Sequence, residues 1–255
     1  MDLGLRERVV LITGAGGGAG PTIARAFASE GARVALHHRG AGSASAARAD
    51  AIASQIVASG ERAIAVAADL GVTDQIEAMV ERISAELGAV GVLVTATSAY
   101  KSERFPEIGD DSWASALDDL LGATFRACRA VVPGMEADGW GRIVNIAARS
   151  GLVGVARSSH YAAAKAGIVG LTASLAKELG PAGILVNAVA PTQIQTEKDG
   201  VPSIPPERAT EMAKKIPLRR LATPDDLASL VVWLGSAANT YVNGETISLT
   251  GGDQR

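Results

Sequence analysis

Val9-Val10-Leu11-Ile12-Thr13-Gly14-Ala15-Gly16-Gly17-Gly18-Ala19-Gly20-Pro21 decides the fold. Arg8–Thr13 is an apolar run of strand length. Glycines follow it directly, and Pro21–Ser29 then reads as a helix. A strand that feeds a glycine-rich turn and then a helix is the context of a nucleotide-binding loop. Glycines there permit a tight turn and let backbone approach a pyrophosphate. The helix start presents free N–H groups to the anion. Pro21 is tolerated because the first helical turn has no partner for the N–H it lacks. The run parses as Gly14-x-Gly16-x-x-Ala19 and also as Thr13-Gly14-x-x-x-Gly18-x-Gly20. Either way, Gly14, Gly17, Gly18, Ala19 and Gly20 are the candidate phosphate contacts. No Gly-Lys-Ser/Thr follows, which argues against a nucleoside triphosphatase.

Outward from this loop the same alternation repeats. Further strand-length runs lie at Arg33–His37, Arg62–Ala67, Val90–Thr95, Arg142–Ala147, Ile184–Val189 and Glu245–Leu249. Between them lie helical stretches at Ala44–Ser59, Asp74–Leu87, Asp111–Met135, Ser158–Leu179 and Pro224–Leu234. This predicts an α/β chain with a Rossmann fold: a doubly wound, seven-stranded parallel sheet with helices on both faces. Residues 1–255 read as one domain, with no linker and no repeat. The proline-rich stretch from Pro191 to Pro217 breaks the rhythm, with a short helix at Glu207–Lys215. It follows the C-terminal end of a strand, where open sheets bind ligands, so it reads as a lid over a substrate.

Composition narrows the function classes. Hydrophobic residues make up 47% and charged residues 20%, which specifies a globular chain. Aromatics are only 4%, so Ala, Val, Ile and Leu must build the core. A net charge of −3 without a basic patch argues against nucleic acid as a partner. One cysteine, Cys128, excludes an internal disulfide and a cysteine-rich metal site, and no metal is expected. The first strand begins too early for a signal peptide or membrane span, so a cytoplasmic protein with no membrane partner is expected.

The end of the second strand selects the dinucleotide. A carboxylate there would bind the ribose hydroxyls of NAD. The chain instead reads His37-His38-Arg39. Arg39 is suited to a 2′-phosphate, and His38 adds a donor, which predicts NADP(H).

Taken together with Tyr161-Ala162-Ala163-Ala164-Lys165, the sequence resembles the short-chain dehydrogenase/reductase family over essentially its whole length. The quoted loop, Asp69-Leu70, Pro191-Thr192-Gln193-Ile194-Gln195-Thr196, Thr223-Pro224-Asp225-Asp226-Leu227-Ala228 and Asn243-Gly244…Gly251-Gly252 carry the resemblance in the expected order. It implies that Tyr161 is the acid/base and that Lys165 holds the nicotinamide ribose. It also implies that Asp69 and Leu70 flank the adenine, while Ala96, Pro191, Ile194 and Thr196 lie along the cofactor. Tyr161 and Lys165 are four apart on a helix and share a face. A neighbouring ammonium is expected to lower the tyrosine pKa toward neutrality. A hydride transfer between a small carbonyl or alcohol substrate and NADP(H) follows. The resemblance further implies a homotetramer or homodimer packed through Asp111–Met135 and Ser158–Leu179, with Cys128 near the interface.

Three positions depart from the family pattern. Ala148 stands thirteen residues before Tyr161, where a serine is usual. Leu120 stands seven residues after Trp113, where an asparagine is common. Thr95-Ala96-Thr97-Ser98 replaces Asn-Asn-Ala-Gly. The serine supplies a hydrogen bond to a developing oxyanion, and such a donor is typically worth ~10²–10³ in rate. Ser150 is the candidate substitute, with Arg149, Thr97, Ser98 and His160 nearby. His160 is expected to face away from Tyr161. A carbonyl reductase leads the readings. A non-redox elimination or isomerisation, and a silent nucleotide-binding protein, stand behind it.

Overall fold

The computed structural model describes residues 2–40, 42–198 and 201–253. The strands are β1 (Val9–Thr13), β2 (Arg33–His38), β3 (Ala63–Ala67), β4 (Val90–Thr95), β5 (Gly141–Ile146), β6 (Ile184–Pro191), β7 (Glu197–Lys198), β8 (Val201–Pro202) and β9 (Thr246–Leu249). Seven of them form one sheet in the order β3-β2-β1-β4-β5-β6-β9, every pair parallel. The helices are α1 (Gly20–Ser29), α2 (Ala44–Ala58), α3 (Thr73–Glu86), α4 (Asp110–Leu117), α5 (Ala123–Asp138), α6 (Ser150–Val153), α7 (Ser159–Leu179), α8 (Pro206–Ala213) and α9 (Pro224–Leu234). The expected single-domain Rossmann fold is therefore the observed one.

The strands read as continuous apolar runs because both faces of the sheet are covered. Val10, Ile12, Val34, Leu36, Val92 and Val94 point to one face, against Ile23 and Phe27 of α1 and Leu227 and Val231 of α9. The alternate residues Val9, Leu11, Ala35 and Leu93 point to the other, against Met79 and Ile83 of α3 and Cys128 and Val131 of α5. Cys128 is thus a core thiol whose Sγ approaches Asn145 Oδ1 at 3.9 Å. It faces the sheet rather than the outer face of its helix. Burial pushes this thiol up to about 12.

Two differences from the expected elements bear on the site. The stretch Asp111–Met135 is not one regular helix: a π-helical turn, Asp118–Gly122, joins α4 to α5. Such turns insert one extra residue and are frequent at functional sites. It carries Leu120 into full burial and sends Asp119 to the cavity described below. Within Pro191–Pro217 an antiparallel hairpin, β7–β8, precedes α8. Residues 199 and 200 of this expected lid lie outside the described residues. Ile204, Ile216 and Leu221 give it a small apolar core of its own.

The sheet order reverses between β1 and β4. A ligand-binding crevice is expected there, outside the carboxyl ends of the strands.

Candidate active site

A cavity of about 1070 Å³ opens at that switch point. It is large enough for a dinucleotide and a small second ligand. All fifteen sequence-predicted contacts line it: Gly14, Gly17, Gly18, Ala19, Gly20, His38, Arg39, Asp69, Leu70, Ala96, Tyr161, Lys165, Pro191, Ile194 and Thr196.

The glycine loop is shaped from two sides. Gly14 has φ 68°, a left-handed conformation, and a Cβ there would meet the Ala96 carbonyl oxygen at 3.0 Å. A Cβ on Gly16 would press into the backbone of Ser45. No side chain caps α1; the Gly20 N–H bonds the Gly17 carbonyl and Pro21 has none, so the Ala19 and Thr22 N–H groups are the ones left to an anion.

His37, read from sequence only as the end of a strand, anchors this loop. Its Nε2 lies 2.9 Å from the Ala68 carbonyl, which can only accept, so the proton sits on Nε2. Nδ1 is then free to accept from the Gly14 N–H at 3.1 Å. Burial lowers the His37 pKa to about 4. The folded state therefore resists a proton that the unfolded chain accepts near pH 6.5. The His37 contribution to stability is full above pH 6.5 and is lost as pH drops toward 4, on the order of 3 kcal/mol. Thermal unfolding between pH 7 and 4 should show that loss. His37→Asn should flatten it, and an unchanged slope in that variant would contradict the assignment.

At the end of β2, the buried His38 has an Nδ1 with no hydrogen-bond partner among the described residues. The Arg39 side chain is 69% exposed and meets Asp119 of the π turn at 3.2 Å. An ion pair so exposed contributes little to stability, so the guanidinium is easily re-engaged.

At the other end, α7 presents Tyr161 and Lys165. Lys165 is only 2% exposed. Its ammonium donates to the Ile146 carbonyl at 2.7 Å and reaches the Thr97 carbonyl at 3.4 Å. Burial lowers its pKa to about 8. Tyr161 is pushed up to about 12, by burial first and then by Tyr100, whose ring stands edge-on with centroids 5.2 Å apart. The expected lowering by Lys165 is absent in the protein alone. The ammonium lies 5.9 Å from the tyrosine ring centroid and is turned toward backbone carbonyls.

Ala148 and Ser150 both line the cavity, as do Thr97, Ser98 and Arg149. His160 does not border it. It is almost fully buried, with Nε2 3.5 Å from the Glu103 carboxylate. Segment 101–104 covers it, held by Glu103 N–H to the Arg157 carbonyl and by Ser158 Oγ to the Lys101 carbonyl. Asp119, Lys215 and Asp253 also line the cavity, although no sequence motif marked them.

Residues 14–253 match the family described as enoyl-(acyl carrier protein) reductase. A 3-oxoacyl-(acyl-carrier-protein) reductase of Staphylococcus epidermidis is 33% identical over 246 residues, covering 96% of this chain and 98% of that protein. A probable galactose dehydrogenase of Rhizobium meliloti is 35% identical over 248 residues, covering 97% and 95%. A gluconate 5-dehydrogenase from Burkholderia cenocepacia, solved with NADP and tartrate, superposes with a TM-score of 0.89 at 27% identity, covering 99% of this chain and 97% of that one. With family match, relatives and fold in agreement along nearly its whole length, the chain belongs to the short-chain dehydrogenase/reductase family.

Proposed function

We propose that this protein is an NADP(H)-dependent oxidoreductase that reduces a carbonyl to an alcohol, or runs the reverse reaction. One observation carries the reading: Tyr161 and Lys165 line the same cavity as the glycine loop and the His38–Arg39 pair. The cofactor fits these residues. The space beside Gly18 is open where a Cβ would stand, the Ala19 and Thr22 N–H groups at the start of α1 have no partner among the described residues, and the buried Nδ1 of His38 lacks one too. The nucleotide of the Burkholderia gluconate 5-dehydrogenase supports the same choice.

Gly14 and Gly17–Gly20 would hold the pyrophosphate, Asp69 and Leu70 the adenine, and Ala96, Pro191, Ile194 and Thr196 the nicotinamide end. Arg39 and His38 would hold the 2′-phosphate, with Arg39 leaving Asp119. Bound NADPH supplies the hydride. Tyr161, protonated at neutral pH, donates its proton to the carbonyl oxygen as charge develops there. Lys165 would hold the ribose, and its ammonium would place positive charge near the tyrosine. Segment 191–217 acts as the substrate lid. We place the protein in the cytoplasm, without a nucleic-acid or membrane partner. Among the described residues no helix is long and apolar enough to cross a membrane. A homotetramer or homodimer would cover the exposed Trp113 and Phe125 on α4 and α5, and a monomeric mass in solution would count against it.

Two measurements test the parts. Arg39→Ser should weaken NADPH binding about 10–50-fold while leaving NADH within about twofold, because a paired charge on the 2′-phosphate is lost. Equal losses for both nucleotides would remove Arg39 from cofactor selection. Lys165 titrates near 8 in the free protein, and its charged form is the working one. Hence kcat/KM for NADPH should fall as pH rises through about 8, and Lys165→Arg should carry that limb upward. A profile flat to pH 10 would contradict this role.

Ala148 and Leu120, in place of the family's usual serine and asparagine, favour one second reading: a non-redox elimination or isomerisation in the same cavity. Substrate conversion with NADPH unchanged would establish it, and one NADPH oxidised per product would exclude it.

A further inference from the structure

At the substrate end of the cavity, one arginine is poised in a way the hydride chemistry does not require. Arg149 follows Ala148, and its backbone N–H is fixed by the Pro191 carbonyl at 2.9 Å. The turn that carries it packs directly on α7: a Cβ on Gly151 would lie 2.7 Å from the backbone of Lys165. The Arg149 side chain lines the cavity and is 26% exposed. Its one charged contact among the described residues is Asp253, reached by a single nitrogen at 3.3 Å. The other guanidinium nitrogens make no hydrogen bond among the described residues. Lys215, just after α8, lines the same space and forms no ion pair among the described residues. The other cavity carboxylates serve the cofactor end, Asp69 bonding the Gly71 N–H and Asp119 pairing with Arg39. Two cations and one acid therefore line the cavity outside the cofactor contacts.

We propose that Arg149, assisted by Lys215, forms an anion subsite, so that the substrate is a carbonyl compound bearing a carboxylate, and the product of reduction a hydroxy acid. The proposal rests on the reductase reading above. A guanidinium matches a carboxylate bidentately, and Asp253 already occupies one prong of that fork. The carboxylate is a handle: no bond to it forms or breaks. Asp253 both orients the guanidinium and competes for it, so an incoming acid must displace a weak, single-contact pair.

Calorimetry on NADP⁺-loaded protein tests this, with malonate and tartrate as probes against their dimethyl esters. The diacids should bind about tenfold or more tighter than the esters. Arg149→Gln should bring them down to the ester level with NADP⁺ affinity unchanged. Asp253→Asn should tighten the diacids by about threefold, the opposite sign, because the competitor is gone. An Arg149 that only tethers the chain's end would give no such gain. Equal binding of acid and ester, absence of diacid binding, or a preference that survives Arg149→Gln would overturn the subsite. NADPH oxidation by a neutral diketone reports separately on the reductase reading, so the two can fail independently.

Discussion

Tyr161→Phe should lower the rate of carbonyl reduction by about 10³-fold, while NADPH still binds within a few-fold of its original affinity. The expectation follows from the protonation state of the group. Burial and Tyr100 hold Tyr161 at about 12, so at pH 7 the phenol is fully protonated and ready to donate. Phenylalanine keeps the ring and its edge-on contact with Tyr100, and removes the hydroxyl that carries the proton. The loss should therefore fall on kcat. Steady-state kinetics with a nucleotide-binding titration separate the two terms. A variant with full activity would remove Tyr161 from the chemistry.

The second large effect is a gain. Ala148, thirteen residues before Tyr161, lines the cavity without a polar side-chain atom. Ala148→Ser adds one hydroxyl facing the cavity and should raise kcat about 10–10²-fold, less than the loss seen when a tuned oxyanion donor is removed elsewhere. Ser150→Ala supplies the control. If Ser150 is the native donor, its removal should cost about 10²-fold in Ala148 protein and little once serine stands at 148. Two silent variants would show that the reaction proceeds without a hydroxyl donor and would favour the non-redox reading.

The sheet was legible because parallel strands covered on both faces appear as unbroken apolar runs, and Val9–Thr13 leads straight into its glycines. The cofactor-end candidates could be named for a related reason: the glycines, His38 and Arg39 lie close in sequence, along β1, α1 and the end of β2. What escaped depends on distance or on subtle periodicity. The π turn at Asp118–Gly122 differs from an α-helix by one residue per turn, which apolar spacing over five residues does not reveal. The strands β7 and β8 have two residues each, too few for alternation. His37 occupies an inward strand position, and its anchoring role exists only once Gly14 and Ala68 are brought to it. Arg149 and Asp253 are 104 residues apart. The tyrosine pKa misled in the same way. Spacing placed Lys165 beside Tyr161, but backbone carbonyls claim its ammonium, and burial decides the shift.

The central claim is hydride transfer from NADPH in this cavity, and the most direct test follows the hydride itself. The protein is mixed with NADPH deuterated at C4, in separate 4R and 4S forms, and with a set of ketones, diketones and keto acids. Products are analysed by mass spectrometry. The account predicts one deuterium on the carbinol carbon from one of the two forms, with one NADP⁺ formed per alcohol. Consumption of a substrate with NADPH unchanged, or product free of deuterium from both forms, would contradict it.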